Sequence, residues 1–116
     1  MFPFFHSSFF VLLFFLLVGH ARADYPEQGD FLAQGKNRNT PIGKLFWPHA
    51  LFAHAMIHAG YVAFFTGSIT LGICEAIIHA ATDWAKCEEW ISLKVDQTIH
   101  IVCKVIWALI AMWFLY

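Results

Sequence analysis

The sequence predicts an all-α integral membrane bundle of four transmembrane helices, paired as two helical hairpins, and three observations predict it. The 116 residues are 59% hydrophobic and 18% aromatic but only 13% charged, whereas about a quarter of a typical soluble domain is charged. Apolar stretches of bilayer-crossing length alternate with short polar connections. Inside those stretches, ligand-capable side chains recur every four residues: His20 and Asp24; His54 and His58; Glu75, His79 and Asp83; Asp96 and His100. On an α-helix such residues sit ~40° apart around the axis and ~6 Å along it, so each set shares one face. The length allows a single domain, and the mean hydropathy of +0.61 agrees with a membrane setting.

The first helix is expected over about 2–23. Its apolar part, Phe2 to Gly19, suits a hydrocarbon core of ~30 Å at ~1.5 Å per residue. Ala21-Arg22-Ala23 has the pattern of a signal-peptidase site that would release a chain starting at Asp24. Against cleavage, Met1 to Ser8 holds no Lys or Arg, and a signal peptide normally opens with one. A polar loop is expected over about 24–45, where Gly29, Gly35, Pro41 and Gly43 fall. Its beginning, Asp24 to Ala33, either continues the first helix or forms a short interfacial one. The second span is expected over about 46–65, with Trp47 at its interfacial start. Thr66-Gly67-Ser68 is a tight uncharged turn. The third span is expected over about 69–84, weakened only by Gly72. Lys86 to Lys94 is an interfacial connection. The fourth span, about 96–116, ends on aromatic residues that suit the far interface.

Basic residues set the orientation. Arg22, Lys36, Arg38 and Lys44 lie in the first connection, and Lys86 and Lys94 in the third. Basic loops stay cytoplasmic, so both termini are expected away from the cytoplasm. On that frame His20, Asp24, Asp83, Lys86, Asp96 and His100 lie near the cytoplasmic ends of their helices. His54 and His79 lie about a turn further in, and His58 and Glu75 deepest. The expected partner is the lipid bilayer. A net charge of -1 without a basic patch gives no sign of nucleic-acid binding.

Ionisable groups in an apolar helix must pair, bind a metal or line a wet cavity. Neutral His with ionised Asp or Glu suits zinc, manganese or iron. The candidate metal ligands are His54, His58, His79, Asp83, Asp96 and His100, with His20 and Asp24 from the first helix. Some of the acids would instead orient a ligating His through its second ring nitrogen. A plainer reading stands beside each. A lone membrane His often just hydrogen-bonds a neighbouring helix, and His6 and His49 are read that way. Asp83 could simply pair with Lys86 three residues on. Glu75 resists dismissal, because a mid-membrane carboxylate needs a partner or a proton. Cys74, Cys87 and Cys103 form no close pair, and Cys74 and Cys103 are read as small packing residues. Phosphate loops and serine-nucleophile elbows are absent from the sequence.

The order of these motifs resembles the bacterial and phage membrane-protein family called domain of unknown function 3307. The resemblance rests on His20, Asp24, Tyr25, Gln28 and Lys36; then His54 and His58; then Glu75, His79, Asp83 and Lys86; then Asp96, Gln97 and His100. Tyr25 stands where the family more often has Phe. The resemblance implies a bacterial inner-membrane protein that keeps its first helix, and it supplies no activity. The expected function is a cytoplasm-facing intramembrane site that binds a divalent metal and hydrolyses a lipid-linked or membrane-associated substrate. Glu75 is the expected general base, and Lys86 or Lys36 the anion contact. The alternatives are a proton- or cation-coupled transport component, with Glu75, His79 and Asp83 as a relay, and a small accessory subunit whose polar residues lock helices together.

Overall fold

The computed structural model describes residues 3–116, and the fold is all-α. A 3-10 turn at Pro3–His6 leads into α1 (Phe9–Asp24), α2 (Gly29–Gly35), α3 (Pro41–Thr66), α4 (Ile69–Cys87) and α5 (Leu93–Ile110). A π-turn at Ala111–Leu115 continues α5.

Hydroxyl caps fix where the helices begin. Ser8, Thr40, Ser68 and Ser92 stand in extended backbone at the N-caps of α1, α3, α4 and α5, and each side chain accepts from the amide three residues on. These caps shift the expected boundaries. The helix expected from about residue 46 starts at Pro41, because Thr40 caps it and proline's missing amide is harmless at the first position. It then runs through Pro48. The third long helix extends past Trp84 to Cys87, and the last begins at Leu93, just after the Ser92 cap. The first long helix begins at Phe9, while its expected start at Phe2 lies outside the described residues.

The expected polar loop contains α2, which meets α1 at an 82° bend. It is therefore a separate short helix, laid across one end of the bundle, and does not continue α1. At the opposite end Gly67, at φ 74°, closes α3, and its amide donates to the Ala63 carbonyl at 2.8 Å. Close packing of the following hairpin depends on Gly72, where a Cβ would meet the Ala59 carbonyl oxygen at 2.9 Å.

The first described turn, Pro3–His6, and the C-terminus both lie at the Gly67 end. The His6 ring stacks on Tyr116 at 3.7 Å, and the Tyr116 hydroxyl donates to the Thr66 carbonyl at 2.7 Å. The other end carries α2 and the two remaining connections, held together by Arg38 pairing with Glu88 and by Asn39 donating to the Cys87 carbonyl at 3.2 Å. The Asn39 amide, which also donates to Glu88 Oε2 at 2.6 Å, and then Arg38 hold the Glu88 carboxyl below its ordinary pKa.

The interior is layered along the long axis. Toward the termini it is apolar, built from Leu12, Leu16, Val62, Phe65, Leu71, Cys103, Trp107, Ala108 and Ala111. Cys74 packs against that layer, and all three cysteines are free. Toward the α2 end small apolar residues such as Ala23, Ala50 and Ala55 are interleaved with buried polar ones, namely His20, Lys36, His54, His58, Glu75, His79, Asp83, Asp96, His100 and Lys104. The outer surface is the inverse, with Phe10, Phe14, Phe52, Phe64, Ile73, Ile77, Val102, Ile106 and Leu109 exposed.

The sequence predicts four spans, but among the described residues one helix, Leu93–Leu115, is long and apolar enough to cross a membrane by length and composition alone. The bent α1–α2 pair is a second candidate if taken as one span. Glu75, Asp83 and Lys86 interrupt the apolar run of α4, and His49, His54 and His58 interrupt that of α3.

Candidate metal centre

Helix direction brings the polar faces together. Cα–Cβ bonds tilt toward a helix's own N-terminus. Helices α1 and α4 run toward the α2 end, so Asp24, His79 and Asp83 lean back into the bundle. Helices α3 and α5 run the other way, so His54, His58, His100 and Lys104 lean to meet them. This lean accounts for the position of Asp24. The sequence reading puts it at the rim of the site, yet its Oδ1 sits 2.8 Å from His58 Nε2, 3.2 Å from His54 Nε2 and 3.9 Å from His79 Nε2. Donors around a tetrahedral ion with ~2.0–2.2 Å bonds are about 3.3–3.6 Å apart. The spacing about Asp24 brackets that range. Asp83 Oδ2 joins the same group, 3.3 Å from His54 Nε2 and 3.5 Å from His79 Nε2.

A second set of contacts orients these donors. His79 Nδ1 donates to Glu75 Oε2 at 3.1 Å, which leaves Nε2 as the lone-pair nitrogen facing Asp24. Glu75 Oε1 in turn accepts from Lys104 Nζ at 2.9 Å and Trp107 Nε1 at 2.8 Å. Gln97 Nε2 donates to Asp24 Oδ2 at 2.9 Å, and Gln97 Oε1 lies 3.0 Å from His20 Nε2. Lys36 reaches in from the end of α2 to Asp83 Oδ2 at 2.8 Å. On the far side of Asp83, His100 Nε2 is 4.0 Å from its Oδ1 and 3.2 Å from Asp96 Oδ1. The rings of His58, His79 and His100 form a stack, with centroids 3.6 and 4.0 Å apart.

Several buried atoms have no hydrogen-bond partner: both nitrogens of His54, His79 Nε2, His100 Nε2 and Asp96 Oδ1. Buried polar atoms are rarely left so, and here the Nε2 atoms of His54, His79 and His100 and Asp96 Oδ1 face other electron-rich atoms. The charges point the same way. The carboxylates Asp24, Glu75, Asp83 and Asp96 have side chains no more than 9% exposed. Two lysines, Lys36 and Lys104, are buried with them. With neutral imidazoles two negative charges are left over, and Lys86, 26% exposed and 3.7 Å from Asp83 Oδ1, answers one from the rim. A divalent cation fits both the donor set and the charge.

All the candidate ligands named from the sequence lie in this cluster, together with Glu75, and Lys86 flanks it. His49 is exposed and His6 hydrogen-bonds the Phe65 carbonyl, so neither takes part. The sequence reading omits Lys104 and Trp107. Lys104 had a signal: it continues the four-residue ladder Asp96, His100, Lys104 by one step. Trp107 had none beyond its place one turn further on.

A cavity of about 100 Å³ opens on the cluster at the α2 end, lined by Asp24, Tyr25, Gln28, Lys36, Lys86, Leu93 and Gln97. A larger apolar groove of about 630 Å³ runs outside α3 along Met56, Ile57, Gly60, Tyr61 and Phe64 and contains none of the cluster.

The family model described as "Protein of unknown function (DUF3307)" matches residues 12–115. No curated protein and no solved structure matches the chain.

Proposed function

The chain belongs to the DUF3307 family, and we propose that it is a multi-pass membrane protein whose polar core binds one divalent metal ion, with zinc, manganese and iron as candidates, for hydrolytic chemistry at the membrane surface. The observation that carries the metal reading is the convergence of Asp24 Oδ1 with the Nε2 atoms of His54, His58 and His79. In this reading α1, α3, α4 and α5 cross the bilayer. The inverted distribution of residues supports it, with ions and imidazoles inside and Phe, Ile and Leu outside. Of the seven basic residues, six lie at or near the α2 end and the seventh, Lys104, is buried. That end is therefore assigned to the cytoplasm and both termini to the other side. The inner membrane of a bacterium is the proposed location.

A bound divalent ion supplies Lewis-acid polarisation of a substrate oxygen and acidifies water near neutral pH. The chain's own groups supply the rest. Asp24 and the three imidazoles hold the ion, and Glu75 fixes the His79 tautomer. Glu75 is the base suggested by the sequence, but its oxygens are engaged by His79, Lys104 and Trp107, so we assign it positioning. His100 Nε2 and Asp96 Oδ1, buried and without hydrogen-bond partners, are better placed to accept a proton. A site reached from one side is favoured over a transport path, because the polar column stops at Lys104 and Trp107 beneath the Leu12, Leu16 and Leu71 layer.

Titration of the full chain with zinc in mild detergent, against a chromophoric chelator, tests the reading. Saturation at one ion per chain is expected, with loss of at least tenfold in affinity for Asp24→Asn. Affinity unchanged in that variant would remove Asp24 from the ligand set.

A further inference from the structure

We propose that the cavity beside Asp24 is a subsite for the phosphate group of an ester substrate, held between Lys36 and Lys86. The proposal rests on the metal reading above and names the substrate class for the same site.

Charge is the first argument. The interior carboxylates exceed the two buried lysines and Lys86 together by one negative charge when the imidazoles are neutral. One divalent ion reverses that to one positive charge. A buried positive centre beside an open cavity attracts a small anion, and a phosphodiester carries the matching charge at neutral pH. A carboxylate ester is neutral, whereas a phosphodiester spreads its charge over two free oxygens, one for the metal side and one for a lysine.

Geometry is the second. The cavity holds about 100 Å³, the space of roughly three water molecules at ~30 Å³ each. That admits a tetrahedral oxyanion. Asp24, a proposed ligand of the ion, forms one wall. The other polar walls are Lys36, Lys86, Gln28, Gln97 and Tyr25. Lys36 is clamped on Asp83 and serves as a fixed charge. Lys86, farther from Asp83 and partly exposed, is free to turn toward an incoming oxygen. The cavity opens at the end where α2 lies across the bundle, the end assigned to the cytoplasm. A phospholipid headgroup and a free phosphate present the same chemistry here.

The test uses the full chain loaded with manganese in mild detergent, with inorganic phosphate as probe. Phosphorus-31 relaxation reports whether the phosphate sits beside the ion. Strong paramagnetic shortening is expected, and Lys86→Gln should weaken phosphate binding about tenfold or more, as for loss of a charge-assisted hydrogen bond. Lys44→Gln, on the exposed start of α3, should change nothing. Lys36→Gln leaves Asp83 without its buried partner and can unfold the chain, so Lys86→Gln decides. In the lipid arm, chain in phosphatidylcholine vesicles with and without phosphatidic acid is compared. Competition by phosphatidic acid against inorganic phosphate supports a headgroup source, and phosphate binding without it supports a soluble ester. Manganese bound stoichiometrically with no phosphorus-31 effect, or an equal effect in Lys86→Gln, overturns the subsite and leaves the metal reading standing. Absence of bound manganese overturns both.

Discussion

Replacing Glu75 with Gln separates what holds this fold together from what holds the metal. Glu75 accepts three hydrogen bonds, from Lys104 at 2.9 Å, Trp107 at 2.8 Å and His79 Nδ1 at 3.1 Å. Gln keeps one acceptor oxygen, which can still receive Lys104 and Trp107. Its amide N–H₂ then faces His79 Nδ1, where donor would meet donor. The imidazole escapes by moving its proton to Nε2, the nitrogen that faces Asp24. That tautomer has no lone pair to offer the ion. Loss of such an orienting partner typically lowers metal affinity about 10–100-fold, which is about 1.4–2.8 kcal/mol. Stability suffers separately, because Lys104 stays buried and loses its counter-charge. Breaking a buried pair costs ~3–5 kcal/mol when nothing replaces the partner, and the retained oxygen makes this an upper bound. Adding Lys104→Met should recover much of the stability and none of the metal affinity. Chelator competition measures the affinity, and thermal unfolding in detergent measures the stability. Metal affinity unchanged in Glu75→Gln, or restored by Lys104→Met, would refute the tautomer argument.

Reporter fusions at Tyr116 should be active only outside the cytoplasm, since the basic residues gather at the opposite end, and activity only in the cytoplasm would reverse the topology. Intact mass of the mature protein should include Met1 to Ala23, because the cluster draws on both His20 and Asp24, and a chain starting at Asp24 would break it. Metal binding should also reshape the His58–His79 stack. With centroids 3.6 Å apart and planes only 24° from parallel, one ion close to both nitrogens cannot lie in both ring planes, so a shared ion requires the rings to tilt. A metal-loaded structure with that stack unchanged would exclude their joint ligation.

The i, i+4 pattern made most of the site legible, because helical geometry alone turns that spacing into a shared face. His54 with His58 and Glu75 with His79 and Asp83 lie inside the bundle as the pattern requires. The depth of Asp24 was not legible, because it depends on which way each helix runs and so on which way its side chains lean. Helix boundaries slipped wherever polarity was taken for an end. Thr40 and Pro41 open a helix inside what reads as loop, and Ser92 does the same for α5. Lys104 was legible in principle, one step along its ladder, but a lysine in an apolar run resembles an interfacial end unless its partner Glu75 is seen beside it. The bend that sends α2 across the bundle follows the loop signal of Gly29, which marks a break without giving its angle.

Elemental analysis of the purified full chain in mild detergent tests the central claim most directly. One ion of zinc, manganese or iron per chain is predicted, falling to a small fraction in His79→Ala while size-exclusion profile and helix content stay as in the parent. A folded parent protein that carries no divalent metal and takes none up on incubation would contradict the account.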